Sequence, residues 1–172
     1  MESELKMRVF AGLFTAVILI TQAIADVKVQ FLEGAPKDRF VITNMGSCDL
    51  GTAQVSIDLS GSPYGLIFDV TSSGAGVEVF QPLEFTSGAD LLANKPRVKD
   101  GDNNISLKLK GLKSRSSVSF TIDVDDTANS REITVSDSEF MGASTSWKTD
   151  ASVKMAEFGA NSEAIISLPN CT

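Results

Sequence analysis

The sequence predicts an all-β fold, a single-domain antiparallel β-sandwich of the Ig-like or jelly-roll-like kind. Two observations carry that prediction. Short runs of alternating apolar and polar residues recur at spacings of roughly 8–12 residues with turn residues between them. Beyond residue 25, no window carries an apolar period of 3.6 residues, so no amphipathic helix competes. The strands are apolar on one face only, which favours two sheets packed against each other.

Each element has its own signal. Val27, Val29 and Phe31 alternate with Lys28 and Gln30 until Gly34-Ala35-Pro36 breaks the run. Arg39 to Asn44 forms a second strand, ended by Asn44-Met45-Gly46. Val55, Ile57 and Leu59 alternate with Ser56, Asp58 and Ser60, and Gly61-Ser62-Pro63 stops them. Leu66, Phe68 and Val70 make a further strand, and Val77 and Val79 continue the pattern toward Pro82. Residues 83 to 103 read as loop, rich in Gly, Asp, Asn and Pro. Ile105, Leu107 and Leu109 resume the alternation.

The clearest strand is Ser117 to Val124, with Val118, Phe120, Ile122 and Val124 on one face. It is expected to pair with Glu132–Val135 as a hairpin. Ser144 to Lys148, Ser152 to Glu157 and Glu163 to Leu168 complete the strand set.

The chain has 172 residues, enough for one domain with a substantial core. Its net charge of −7 argues against nucleic acid and anionic membrane surfaces as partners. Val9 to Ile20 is an apolar run preceded by Arg8, and Ala23-Ile24-Ala25 offers small residues at a cleavage site. Residues 1–25 are therefore expected to be a cleaved secretory signal, leaving 26–172 as the sandwich domain. The apolar run is shorter than the roughly 20 residues of a membrane span, and no later segment crosses a bilayer by helix. The protein is expected outside the cytoplasm, extracellular or periplasmic. There, Cys48 and Cys171, the only two cysteines, are expected to form one disulfide.

Catalytic chemistry is sparse. The chain has no histidine, which removes His-dependent hydrolysis and imidazole zinc sites. No glycine-rich phosphate loop is present. A carboxylate pair including Asp123 could serve a glycosidase, but such sites favour aromatic platforms, and the chain holds one Trp and one Tyr. The expectation is a protein that is not an enzyme. A ligand-binding module is the alternative, with a pocket drawn from Phe68, Phe80, Phe85 and Trp147.

Two acidic turns remain. Asp123, Asp125 and Asp126 end the clearest strand, and Asp100, Asp102 and Asn104 precede the strand Ile105–Leu109. Asp123 and Asp125 share a face roughly 6–7 Å apart, where like charges repel unless a cation intervenes. If the two strands pair as a hairpin, both clusters meet at one end of the sheet. The expected ligand set is Asp100, Asp102, Asn104, Asp123, Asp125 and Asp126, and the expected cofactor is calcium, which takes oxygen ligands from such turns.

Several blocks carry a family resemblance. They are Phe31–Phe40, Ile57–Gly61, Gly65–Asp69, Gly74–Phe80 and Phe120-Thr121-Ile122-Asp123-Val124-Asp125-Asp126-Thr127. Together they resemble secreted bacterial proteins called aggregation factor core proteins, over nearly all of residues 26–172. The resemblance implies a cell-surface role in adhesion, aggregation or matrix assembly, assisted by calcium. It also implies other surface proteins, glycans or further copies of the chain as partners.

Overall fold

The computed structural model describes residues 25–34, 37–73, 80–128 and 134–168. Among the described residues, ten strands divide between two antiparallel sheets. They are β1 (Ala25–Leu32), β2 (Asp38–Asn44), β3 (Ala53–Asp58), β4 (Ile67–Asp69), β5 (Glu84–Ser87), β6 (Asn104–Leu109), β7 (Ser117–Asp125), β8 (Ser144–Lys148), β9 (Val153–Glu157) and β10 (Glu163–Leu168). The larger sheet runs β10-β1-β2-β7-β4, with β5 also on β7, and the smaller runs β6-β3-β8-β9. The fold is the predicted β-sandwich.

Alternation explains the layering. In β1, β3 and β6 every second residue is buried, and these residues meet across the gap between the sheets. Phe31, Phe40, Phe120 and Phe140 form the aromatic centre; Phe40 stacks on Phe120 at 5.3 Å and Phe31 on Phe140 at 4.0 Å. Among the described residues no helix is long and apolar enough to cross a membrane.

The hairpin between Ile105–Leu109 and Ser117–Val124, the condition for the two acidic turns to meet directly, is not formed. β6 pairs with β3 in the smaller sheet, and β7 pairs with β2 in the larger. The connection docks on the loop after β2: Leu112 bridges to Leu50, and the Arg115 N–H donates to the Asn44 carbonyl at 3.1 Å. Both strands are apolar on one face, and placing them in opposite sheets lets those faces meet across the core.

The predicted hairpin with Glu132–Val135 is also replaced. Residues 129–133 lie outside the described residues, while Thr134 and Val135 are not in a strand. The free edge of β7 is taken instead by β4 and β5 in tandem, with β4 on Asp123–Asp125 and β5 on Ser119–Thr121. β5 itself lies in the stretch read as loop. Its Glu-Phe-Thr-Ser has only one large apolar residue, so it gives no alternation to detect. The expected strand at Val77–Val79 lies outside the described residues.

So do residues 1–24 of the expected signal and Cys171 of the expected disulfide. Cys48 packs partly buried against the core, and the Asn44 side-chain amide donates to its carbonyl at 2.8 Å.

Candidate metal centre

Pairing decides where the aspartates go. β4 lies antiparallel to the end of β7, which sets Asp69 directly opposite Asp123 and Ile67 opposite Asp125. Opposite residues share a face, and so do residues two apart on one strand. Asp69, Asp123 and Asp125 are thus neighbours on one face. A carboxylate oxygen from each lies within 4.8 Å of the others, and all three residues are buried.

The face they occupy was expected to be solvated. Instead β7 is buried on both sides from Phe120 to Asp125. Gln81 closes the gap where β4 and β5 meet: its N–H donates to the Asp69 carbonyl at 3.2 Å, and its carbonyl accepts from the Asp123 N–H at 3.4 Å.

Two more aspartates surround the three. The loop 99–102 folds onto β4, with the Phe68 N–H on the Asp102 carbonyl and the Gly101 N–H on the Phe68 carbonyl. That brings Asp100 beside Asp69, where its Oδ1 accepts from the N–H groups of Val70 and Thr71 at 3.0 and 3.2 Å. Asp38, the first residue of β2, accepts from Gly34 N–H through Oδ1 and from Val124 N–H through Oδ2, at 3.1 and 3.0 Å. Its side chain thereby extends the β2–β7 ladder past the strand end.

The electrostatics of this group are one-sided. No Lys or Arg among the described residues forms an ion pair with Asp38, Asp69 or Asp123. Both Asp69 oxygens and Oδ2 of Asp123 are buried without a hydrogen-bond donor. A buried carboxylate left so is costly, and it responds by holding its proton. Burial, together with the carboxyls of Asp125, Asp38 and Asp69, pushes Asp123 up to about 8. Burial and the adjacent Asp100 and Asp125 push Asp69 up to about 7. Asp38 also rises to about 7 through burial, against the opposing pull of its two N–H donors.

The six predicted ligands separate. Asp123 and Asp125 enter the cluster, and Asp100 stands next to it. Asp126 is buried but is not one of the three whose oxygens converge. The Oδ2 of Asp102 accepts from the Lys99 N–H at 2.8 Å, tightening its own turn. Asn104 is exposed at the start of β6, opposite Asp58. Asp100 and the β7 aspartates do come together, but through β4 and not through a β6–β7 hairpin.

Asp69 and Asp38 were missed. Asp69 had a legible signal, a lone acid inside the apolar run Leu-Ile-Phe-Asp-Val. Its partner strand could not be read.

No family model, curated protein or solved structure matches this chain.

The four aromatics expected to line a pocket also separate. Phe68 and Trp147 are core residues, Phe80 is half-buried, and Phe85 packs on Phe120 at 5.6 Å. Of the four, Phe85 lines an open surface cavity of about 580 Å³ beside β5, with Leu83, Glu84, Leu92 and Lys95.

What the cluster can do follows from its donor set. Three carboxylates, all oxygen and all buried, suit a hard cation. Calcium takes roughly six to eight oxygens at about 2.3–2.6 Å, so ligands on opposite sides of one ion stand about 4.8 Å apart. The spacing of the three oxygens falls within that limit.

Proposed function

We propose that this chain is a non-enzymatic, calcium-stabilised β-sandwich that acts outside the cytoplasm in adhesion or matrix assembly. The observation that carries the reading is the buried Asp69–Asp123–Asp125 cluster, with carboxylate oxygens on Asp69 and Asp123 that no donor reaches. Calcium would neutralise the three charges and tie β4 to β7 at the sheet edge. The ion would thus order an edge and its loops, a structural task.

Burial supports a role without catalysis. Asp69 and Asp125 are each 1% exposed and Asp123 is 6% exposed, so a sugar ring has no approach to them. The adhesive role rests on the resemblance to aggregation factor core proteins and on the expected secretion signal. Other surface proteins, glycans and further copies of the chain are the candidate partners.

Beads coated with the secreted protein test the role. They should cluster, or bind cells, in millimolar calcium and disperse in EDTA. Beads that stay dispersed and bind no cell or glycan in either condition would remove the adhesive reading.

A further inference from the structure

We infer that the outer face of the smaller sheet is a self-complementary docking surface for a second copy of this chain. The inference deepens the adhesive reading above by naming the partner, and it stands on the register of β6, β3, β8 and β9.

That register aligns outward side chains in three rows across the sheet. One row is Lys108, Gln54, Lys148 and Val153. The middle row is Ser106, Ser56, Ser146 and Met155. The third is Asn104, Asp58, Ser144 and Glu157. Burial confirms the facing, since the residues between them in β3, β6 and β8 are all buried. The face therefore carries two lysines at one end, where Asp150 lines the same cavity as Lys108 and Lys148, and two acids at the other, with small hydroxyl side chains between.

Three features fit it to a partner sheet. The serines are short, and Ser56 and Ser106 already bond each other at 2.7 Å, so a second sheet can approach to the usual spacing of about 10 Å. Met155 and Val153 are adjacent in the face and are 68% and 54% exposed, which gives it an apolar anchor at the β9 side. Lys108 and Lys148 are in no ion pair among the described residues.

Symmetry then fixes the occupant. A two-fold axis along the middle row lays each strand antiparallel over its own copy, as an isologous interface requires. The basic row of each copy falls on the acidic row of the other, and Met155 falls on Met155. Lys148 lands over Ser144 of the second copy, between that copy's Asp58 and Glu157. No row of like charge meets itself.

The patch covers only about 400 Å² per copy, from four strands at their ordinary spacing. A total near 800 Å² is below the roughly 1,200 Å² of a stable complex, so the pairing is weak in solution. Many copies displayed on one surface would add their contacts and hold by avidity.

Sedimentation equilibrium on the folded, secreted protein tests this. The wild type should self-associate reversibly, with an association constant that falls about tenfold between low and high salt. Lys108→Glu/Lys148→Glu and Asp58→Lys/Glu157→Lys should each lose self-association at least about tenfold, and their equimolar mixture should recover it as a heterodimer. Met155→Arg, which keeps both charged rows, should also lose it. Thermal melts establish that each variant is folded.

A wild type that stays monomeric to about 1 mM, or folded charge variants whose mixture does not associate, would overturn the inference. Bead clustering separates it from the adhesive role. Wild-type protein that dimerises in solution but never clusters beads removes adhesion alone. Beads that cluster equally well with Lys108→Glu/Lys148→Glu remove this surface alone.

Discussion

Asp69 faces Asp123 directly across the β4–β7 pair, and both carboxylates are buried among other acids. Like charges directly opposite in a sheet destabilise it, and burial increases their repulsion. The local arrangement is unfavourable unless protons or a cation neutralise it.

Replacing one member should therefore have opposite effects with and without metal. In EDTA, Asp69→Asn removes a charge from the repelling pair and should raise the melting temperature. In calcium it removes a ligand, so the added stability from the ion should shrink or vanish. For the wild type, calcium at about 100 times its dissociation constant contributes about 2.7 kcal/mol. For a domain of this size that is a rise of roughly 5–10 °C. Differential scanning calorimetry of both proteins in both conditions reads all four values.

The metal-free protein should lose stability as pH rises from about 4 to 8. The native acids titrate at about 7 for Asp38 and Asp69 and about 8 for Asp123, against 3.8 for an ordinary Asp. Between those limits the native state binds more protons than the unfolded state, so unfolding becomes easier with each pH unit. The stability is fully present below pH 3.8 and is lost as pH climbs through 7 to 8. Each group contributes at most about 1.4 kcal/mol per pH unit in this window. Saturating calcium should flatten the slope. Urea denaturation in EDTA at pH 5 and pH 8 measures it, and greater stability at pH 8 would contradict it.

Much of this fold is legible in the sequence because alternation reports burial directly. Strands β8 and β10 fall at the predicted residues, and β1, β2, β3 and β6 differ only at their ends. Pairing partners were not legible, since Ile105–Leu109 and Ser117–Val124 alternate equally well in one sheet or in two. That one ambiguity governs the site. Asp123 and Asp125 could be found from their spacing on one strand, whereas Asp69 becomes a neighbour only once β4 is known to lie on β7. Asp38 joins from the first residue of β2 and Asp100 from a loop, and at a strand end or in a loop the period carries no information.

Gly142 should resist substitution. Its φ is +89°, and a Cβ there would strike the Gly61 carbonyl, just as one on Gly61 would strike the Gly142 carbonyl. The two backbones pass too closely for any side chain. Gly142→Ala should cost about 2–3 kcal/mol. Gly159→Ala, whose new methyl would meet the movable Asn161 side chain, should cost less than about 1 kcal/mol. Equal melting temperatures for the two variants would contradict the close-approach argument.

The expected Cys48–Cys171 disulfide makes a separate prediction. Ser167, four residues before Cys171, pairs with Asp26, whose carbonyl accepts from the Met45 N–H at 2.7 Å. The loop bearing Cys48 and the end of β10 therefore lie at the same end of β1. The protein secreted into an oxidising compartment should show no free thiol. Cys48→Ser/Cys171→Ser should be less stable by about 2–5 kcal/mol. Two reactive thiols in the native secreted protein would refute the pairing.

Calcium binding itself is tested most directly by titrating calcium into EDTA-treated, dialysed protein at pH 7 in a calorimeter. The expected result is a saturable single site that releases protons, seen as heats that change with the buffer's ionisation enthalpy, because the ion displaces protons from Asp69 and Asp123. The site should be absent in Asp69→Asn/Asp123→Asn. Absence of binding heat at millimolar calcium, with melting curves identical in calcium and EDTA, would contradict a calcium centre at Asp69, Asp123 and Asp125.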